Sequence, residues 1–257
     1  MRDSGLSEAI RVAGGVGALA RMLGIAQPSV SNWTRVPAER VLAVEAATRI
    51  DRTVLRPDLY AAAAASDIDE VDRARAQEYA LLATLLMRPP SDGLLRRLAE
   101  LGGDTSPLGV AHAALGVAAQ RGRAASVERE FFDLFVGVGR GELLPYASFY
   151  LTGFLHERPL ARLRAHLAEL GIERAADQVE PEDHVAMLCE IMAGLASGAL
   201  GAPAGADRAL FERHLAPWAG RFFADLERAE HADFYRAVGA LGRVFIDIEA
   251  AAFALPA

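Results

Sequence analysis

Lysine is missing: every one of the 27 basic residues in this 257-residue chain is an arginine. A Walker A loop, a Schiff-base enzyme and a protein kinase each depend on a lysine amine, so those classes are excluded. Arginine-rich codon usage in a GC-rich genome accounts for the absence, and nothing beyond exclusion follows from it. Cysteine is almost missing as well. Cys189 alone closes no intramolecular disulfide and builds no multi-cysteine metal cluster, and we read it as a buried core thiol. No apolar run approaches the roughly 18–20 residues of a membrane helix. The start, Met1-Arg2-Asp3-Ser4-Gly5, has no signal-peptide apolar region, so the expected location is cytoplasmic, without membrane insertion.

Strand signals are also scarce, whereas helical periodicity recurs, and the expected fold class is all-α. Tyr79, Leu82, Ala83 and Leu86 share one helical face, ended by Pro89 and Pro90. Leu160, Leu163, Leu167 and Leu170 form a second stripe, ended by Gly171. Val185, Leu188, Met192 and Leu195 form a third, and Phe234, Val238, Leu241, Phe245 and Ile248 a fourth. One-sided helices of this kind cover one another, so these stripes are read as core.

Charge divides the chain. Residues 1–60 hold eight arginines and six acids, whereas 61–257 hold nineteen and twenty-eight, so a basic head of +2 precedes a body of −9. Between them lie Ala61–Ala65 and the acidic run Ser66-Asp67-Ile68-Asp69-Glu70-Val71-Asp72, a composition with little to pack. The expected organisation is a small domain over 1–60, a linker over 61–72 and a large domain over 73–257.

In the small domain, Gly17–Leu23 reads as a short helix, Gly24-Ile25-Ala26 as a tight turn and Gln27–Arg35 as a second helix. That is helix-turn-helix spacing, with Leu19, Ala20, Leu23, Ile25, Val30 and Trp33 as a small core. Pro28 fits a first helical turn and leaves Gln27, Ser29, Ser31, Asn32 and Arg35 facing solvent. Such side chains read base edges and phosphates from a recognition helix, which makes duplex DNA a candidate partner. Gly15-Val16-Gly17-Ala18-Leu19-Ala20 fits a dinucleotide fingerprint in letters only, because Leu6–Ala13 before it reads as helix and not as strand. The run from Ala18 to Trp33, with Val36-Pro37-Ala38-Glu39-Arg40-Val41 and Leu55-Arg56-Pro57-Asp58-Leu59-Tyr60, resembles the Cro-like, YdaS-type helix-turn-helix family. The resemblance implies a compact helical DNA-binding module.

The large domain offers no catalytic constellation. Its six histidines never fall within one helical turn of each other, and no nucleophile elbow is present. Ser148 lies between Tyr146 and Tyr150 without an obvious base. Glu180-Pro181-Glu182-Asp183-His184 stands directly before an apolar helix, where proline and acids suit a first turn. Capping leaves the Asp183-His184 pair unexplained, and that pair suits an arginine-rich peptide. Glu130-Phe131-Phe132-Asp133-Leu134-Phe135-Val136-Gly137-Val138-Gly139-Arg140-Gly141 is aromatic and then glycine-rich. Its glycines are read as loop bends, with an anion-binding nest as the alternative.

Leu134-Phe135-Val136-Gly137, Pro145-Tyr146-x-Ser148-x-Tyr150-Leu151 and Glu180-Pro181-Glu182-Asp183-His184 resemble the TorD/DmsD/NarJ family of redox-enzyme maturation chaperones. Pro217-Trp218, Arg221-Phe222, Ala229-Glu230-His231 and Phe234-Tyr235-Arg236-Ala237 agree with its C-terminal pattern, so the resemblance runs from about residue 73 to the end. It implies a TorD-like helical bundle, not an enzyme and without a cofactor of its own. Such a chaperone binds the twin-arginine (Tat) signal peptide of a molybdenum oxidoreductase in its apo form, and holds it back until its cofactor is inserted. Formate dehydrogenase and dimethyl sulfoxide or trimethylamine oxide reductases are typical clients of the resemblance. Carried over by motif, peptide binding falls on Phe131, Leu134, Phe135, Tyr146, Ser148, Tyr150, Pro181, Asp183 and His184. The rival reading is a transcriptional regulator whose helical domain senses a peptide or small molecule. A helix-turn-helix usually reads paired half-sites, so a homodimer is among the expected states.

Overall fold

The computed structural model describes residues 2–57, 70–173 and 179–255. The chain divides into two compact units, Met1–Asp69 and Glu70–Ala257. Most of the expected linker, residues 61–69, and Asp58, Leu59 and Tyr60 lie outside the described residues.

In the first unit, α1 (Ser4–Ala13) is started by Asp3, whose carboxylate accepts the Leu6 amide, and stopped by Gly14 in the left-handed conformation. Helix α2 (Val16–Met22) follows, so of the fingerprint-like glycines Gly15 sits between two helices and Gly17 inside the second, and a helix precedes them as the reading of Leu6–Ala13 requires. A turn at Gly24 (φ +65°) leads into α3 (Gln27–Ser31), with Pro28 in its first turn. The expected continuation to Arg35 is corrected: α3 ends at Ser31, and Trp33 closes it with an i→i−3 bond to the Val30 carbonyl. Pro37 disfavours helix at the residue before it, which draws Val36 out of the helix and into the core. Helices α4 (Val41–Thr48) and α5 (Arg52–Leu55) complete the unit. Leu6, Leu19, Val30, Val41, Val44 and Leu55 are fully enclosed, while Leu23, Ile25 and Trp33 pack at the edge of this core.

In the second unit, α6 (Glu70–Met87) lies along α12 (Val185–Ala196). The C-terminal helix α15 (Phe234–Phe253) lies along α14 (Ala219–Arg228) and α8 (Pro107–Arg121). Shorter helices fill the frame: α7 (Asp92–Leu98), α9 (Ala124–Phe131), α10 (Ala147–Thr152), α11 (Arg158–Glu169) and α13 (Ala206–Leu210). Helices α9 and α13 each widen into a π-helical turn, Phe132–Val136 and Phe211–Leu215, a distortion that often accompanies function. Among the described residues there is no strand, only an isolated antiparallel bridge between Tyr146 and His184. None of the described helices is long and apolar enough to cross a membrane.

The expected stripes are the core. Tyr79, Leu82 and Leu86 meet Val185, Leu188 and Met192, with Trp218, Phe222 and Phe223 sealed beside Val238, Leu241 and Phe245. Each such side chain contributes about 1.5–3 kcal/mol by leaving water. Leu170 and Leu195 are only partly buried. Ile248 departs from its stripe and is exposed, because Glu249 takes the inward position. Its carboxylate accepts the Tyr79 hydroxyl at 2.9 Å and both Nε and a terminal nitrogen of Arg75, at 2.8 and 2.9 Å. Cys189 is fully enclosed, and burial pushes its thiol up to about 12.

Candidate functional site

Two segments far apart in sequence meet at the bridge. The Ala147 amide donates to the Asp183 carbonyl and the Val185 amide to the Pro145 carbonyl, at 2.9 and 2.8 Å. This pins the start of α10 to the start of α12. Asp183 Oδ2 then accepts both the amide and the hydroxyl of Ser148, at 2.9 and 2.5 Å. The Tyr146 hydroxyl donates to Glu180 at 2.7 Å, and its ring meets His184 edge-on at 5.0 Å. Pro181 stands just outside, its carbonyl accepting the His184 amide.

The acids of this segment do not cap the helix, and Pro181 is not in its first turn. His184 is the N-cap, its Nδ1 accepting from the Ala186 amide at 3.1 Å. The neutral ring therefore carries its proton on Nε2. Burial pushes this imidazole's basicity down, with Glu180 and Asp183 opposing. Ser148, Asp183 and His184 are the residue types of a hydrolase triad, yet Ser148 bonds to the carboxylate directly and His184 Nδ1 is spent on its helix. No base-to-nucleophile relay forms. Burial, then Glu180, pushes the Tyr146 hydroxyl up, so it stays a donor.

Tyr150 faces elsewhere. Its ring packs on Trp218 and Phe222, its hydroxyl donates to Asp225 at 3.0 Å, and Arg221 donates to its carbonyl at 2.8 Å. Phe131 and Phe135 form a third group with Tyr235, ring centroids 5.0–5.8 Å apart. Leu134 is sealed in the core. The glycine-rich loop after them bends as expected, with Gly137 and Gly139 at φ +61° and +88°. Glu130 and Glu142, which carry no sequence signal, fix this region. Glu130 accepts the amides of Asp233, Phe234 and Tyr235, and Glu142 those of Glu230 and His231.

Thus Tyr146, Ser148, Asp183 and His184 form one constellation, and Leu134, Ser148 and Asp183 are closed to solvent. The motif residue Glu182, outside the candidate set, holds Arg164 at 2.8 Å. Behind it opens a cleft of about 390 Å³ between α11 and α12, floored by Leu167, Met187 and Ile191 and rimmed by Glu173, Glu182 and Glu190. A second cleft of about 440 Å³ lies between α10, α11 and the π turn at Phe211–Leu215. Among the described residues no three His, Cys, Asp or Glu side chains converge as metal ligands. In the first unit, Gln27, Ser29, Ser31, Asn32 and Arg35 are all exposed on and just after α3.

Comparison with known proteins agrees with both halves. A family model described as nitrate reductase delta subunit matches residues 102–224, and one described as bacterial toxin YdaS matches residues 6–64. The chain is 30% identical over 126 residues to a chaperone protein TorD of Vibrio cholerae serotype O1, covering 46% of this chain and 57% of that protein. It is 28% identical over 130 residues to a chaperone protein TorD of Aliivibrio fischeri, covering 47% and 60%. It is 29% identical over 124 residues to a probable Tat proofreading chaperone DmsD of Haemophilus influenzae, covering 48% and 59%. The match spans somewhat over half the length of these relatives. Residues 102–224 thus match the TorD/NarJ family, that of the nitrate reductase delta subunit, and residues 6–64 ahead of them match a Cro-like helix-turn-helix domain of YdaS type.

Proposed function

We propose that the second unit is a cytoplasmic maturation chaperone, not an enzyme, that binds the twin-arginine signal peptide of a molybdenum oxidoreductase before export. Its client is of the formate dehydrogenase or dimethyl sulfoxide/trimethylamine oxide reductase type. The observation that carries the reading is the cleft behind Glu182, where an apolar floor meets a rim of three carboxylates and one guanidinium, Arg164, beside the Glu180–His184 segment. A leader peptide joins paired arginines to an apolar stretch, and carboxylates and apolar surface answer those two needs. Half-exposed Phe131, Phe135, Tyr146, Tyr150 and Pro181 are the motif residues a peptide touches, and His184 lies at their margin. Enclosed Leu134, Ser148 and Asp183 position them.

Calorimetric titration of the full chain with a twin-arginine leader peptide tests this. Micromolar binding is expected, weakened at least about tenfold when both peptide arginines become glutamine and when Glu190→Gln is introduced. Equal affinity for both peptides overturns the reading.

A second reading, for the first unit, is favoured by the polar, exposed face of α3. This unit binds duplex DNA through Gln27, Ser29, Ser31, Asn32 and Arg35, as a homodimer on paired half-sites, and makes the protein a regulator that answers to occupancy of the second unit. Retention on operator DNA that falls with Asn32→Ala and with rising salt supports it. Salt-independent or unchanged retention refutes it.

A further inference from the structure

The second cleft has a wall chemistry that peptide binding does not use. His214 Nε2 lies 3.0 Å from His166 Nδ1, their rings 5.1 Å apart, and both line the cleft. Forty-eight residues separate them in sequence. His166 comes from α11 and His214 from the π turn, whose carbonyl accepts the Trp218 indole N–H at 2.7 Å. Arg162 and Arg213 also line the cleft and are exposed, and neither guanidinium has an ion pair among the described residues. Glu169 is the carboxylate in the same wall, while α10 contributes the uncharged Ala147 and Leu151.

A neutral imidazole pair sharing one N–H has a fixed remainder. Whichever ring donates, the two outer nitrogens, His166 Nε2 and His214 Nδ1, present one N–H and one lone pair. Burial, with Arg213 nearby, lowers the basicity of both rings, His214 to about 4, so the pair is neutral near pH 7. Two guanidiniums against one carboxylate leave the wall net positive. That favours an anion over a metal cation, which would also lack a third protein ligand among the described residues. The volume lies within the roughly 300–1,000 Å³ of small-molecule sites.

We propose that this cleft binds a small phosphate-bearing anion, its charge met by Arg162 and Arg213 and one of its oxygens by the remaining N–H of the His166–His214 pair. The ligand is free phosphate or a phosphomonoester, and it packs against Ala147 and Leu151 on the helix that carries Ser148. The site stands apart from the leader-peptide cleft and does not rest on that reading.

The full chain is titrated with inorganic phosphate and, separately, with ribose 5-phosphate. Phosphorus NMR follows the ligand, and the imidazole proton signals follow the pair. Saturable binding is expected, with the imidazole signals shifting together and affinity falling about tenfold in Arg162→Gln and in Arg213→Gln. The thermal midpoint without ligand is unchanged in both variants, since both side chains are exposed. Tighter binding of the ester identifies an organic phosphate, and tighter binding of the inorganic ion identifies free phosphate. No saturable binding, affinity unchanged in both arginine variants, or zinc binding that needs both histidines and excludes phosphate overturns the proposal. Leader-peptide affinity measured on Arg162→Gln remains that of the parent chain, which keeps the two sites separable.

Discussion

Asp183 holds Ser148 twice through one oxygen, accepting its amide at 2.9 Å and its hydroxyl at 2.5 Å, in a place where both residues are shut off from solvent. The pair joins α10 to α12 across 35 residues of sequence and sets where Tyr146 and His184 stand. Replacing Asp183→Ala leaves two buried donors without an acceptor, at a cost of about 3 kcal/mol. The expected outcome is a midpoint lowered by roughly 5–10 °C in thermal denaturation, with leader-peptide binding lost in parallel. Ser148→Ala removes only the hydroxyl donor and is expected to cost less than half as much.

Gly137 and Gly139 give a contrast within one loop. At Gly137 (φ +61°, ψ 173°) a Cβ would stand 2.1 Å from the Arg140 carbonyl oxygen, in a backbone region open essentially to glycine alone. At Gly139 (φ +88°) a Cβ would meet nothing within 4 Å. Urea denaturation is expected to show Gly137→Ala destabilising by about 3 kcal/mol or more and Gly139→Ala by about 1 kcal/mol. Similar costs at both positions would contradict this loop geometry.

Glu249 is enclosed and shared by Arg75 and Tyr79, while Arg75 also binds Asp72 at 2.7 Å and Asp207 at 3.0 Å. Removing the carboxylate leaves a half-buried guanidinium with its two more exposed partners only. Glu249→Ala is expected to cost roughly 3 kcal/mol in urea denaturation, and Asp72→Ala less than 1 kcal/mol because that partner is partly in water.

Acid weakens the protein before its carboxylates titrate. His184, His166 and His214 are each held below the ordinary 6.5 by burial, His214 at about 4. The unfolded chain binds protons at these sites first. The stability they contribute is whole above pH 6.5 and is lost as pH falls toward 4. His112 and His231 are shifted the other way by hydrogen bonds they donate to Glu78 and Glu142, and they lose their contribution as pH rises above 6.5. Urea midpoints measured from pH 7 to 4 are expected to fall, with a shallower slope in His214→Gln. A flat profile would contradict the burial of these rings.

The all-α architecture was legible because apolar spacing reports which face of a helix seeks cover, and Tyr79, Leu163, Leu188 and Phe245 all point inward as their stripes require. The end of α3 was not, since Trp33 and Val36 are drawn into the core by tertiary packing that propensity does not register. Ile248 and Glu249 are adjacent, and periodicity alone puts the isoleucine inside. Only a guanidinium arriving from another helix reverses the order. The Glu180–His184 motif was visible as letters, but its use of His184 as the cap and Asp183 as a clamp depends on Ser148. The paired histidines were hidden for the same reason: spacing along one helix cannot show a contact made between two.

The Arg75 network ties the two ends of the second unit together. Arg75 lies in the second turn of the second unit's first helix, stacked at 4.8 Å over Phe253 near the end of its last helix. The bundle thereby clasps the start of its first helix to the end of its last with its own residues. Fraying of the first helix of this unit is therefore coupled to fraying of its last, across 174 residues of sequence.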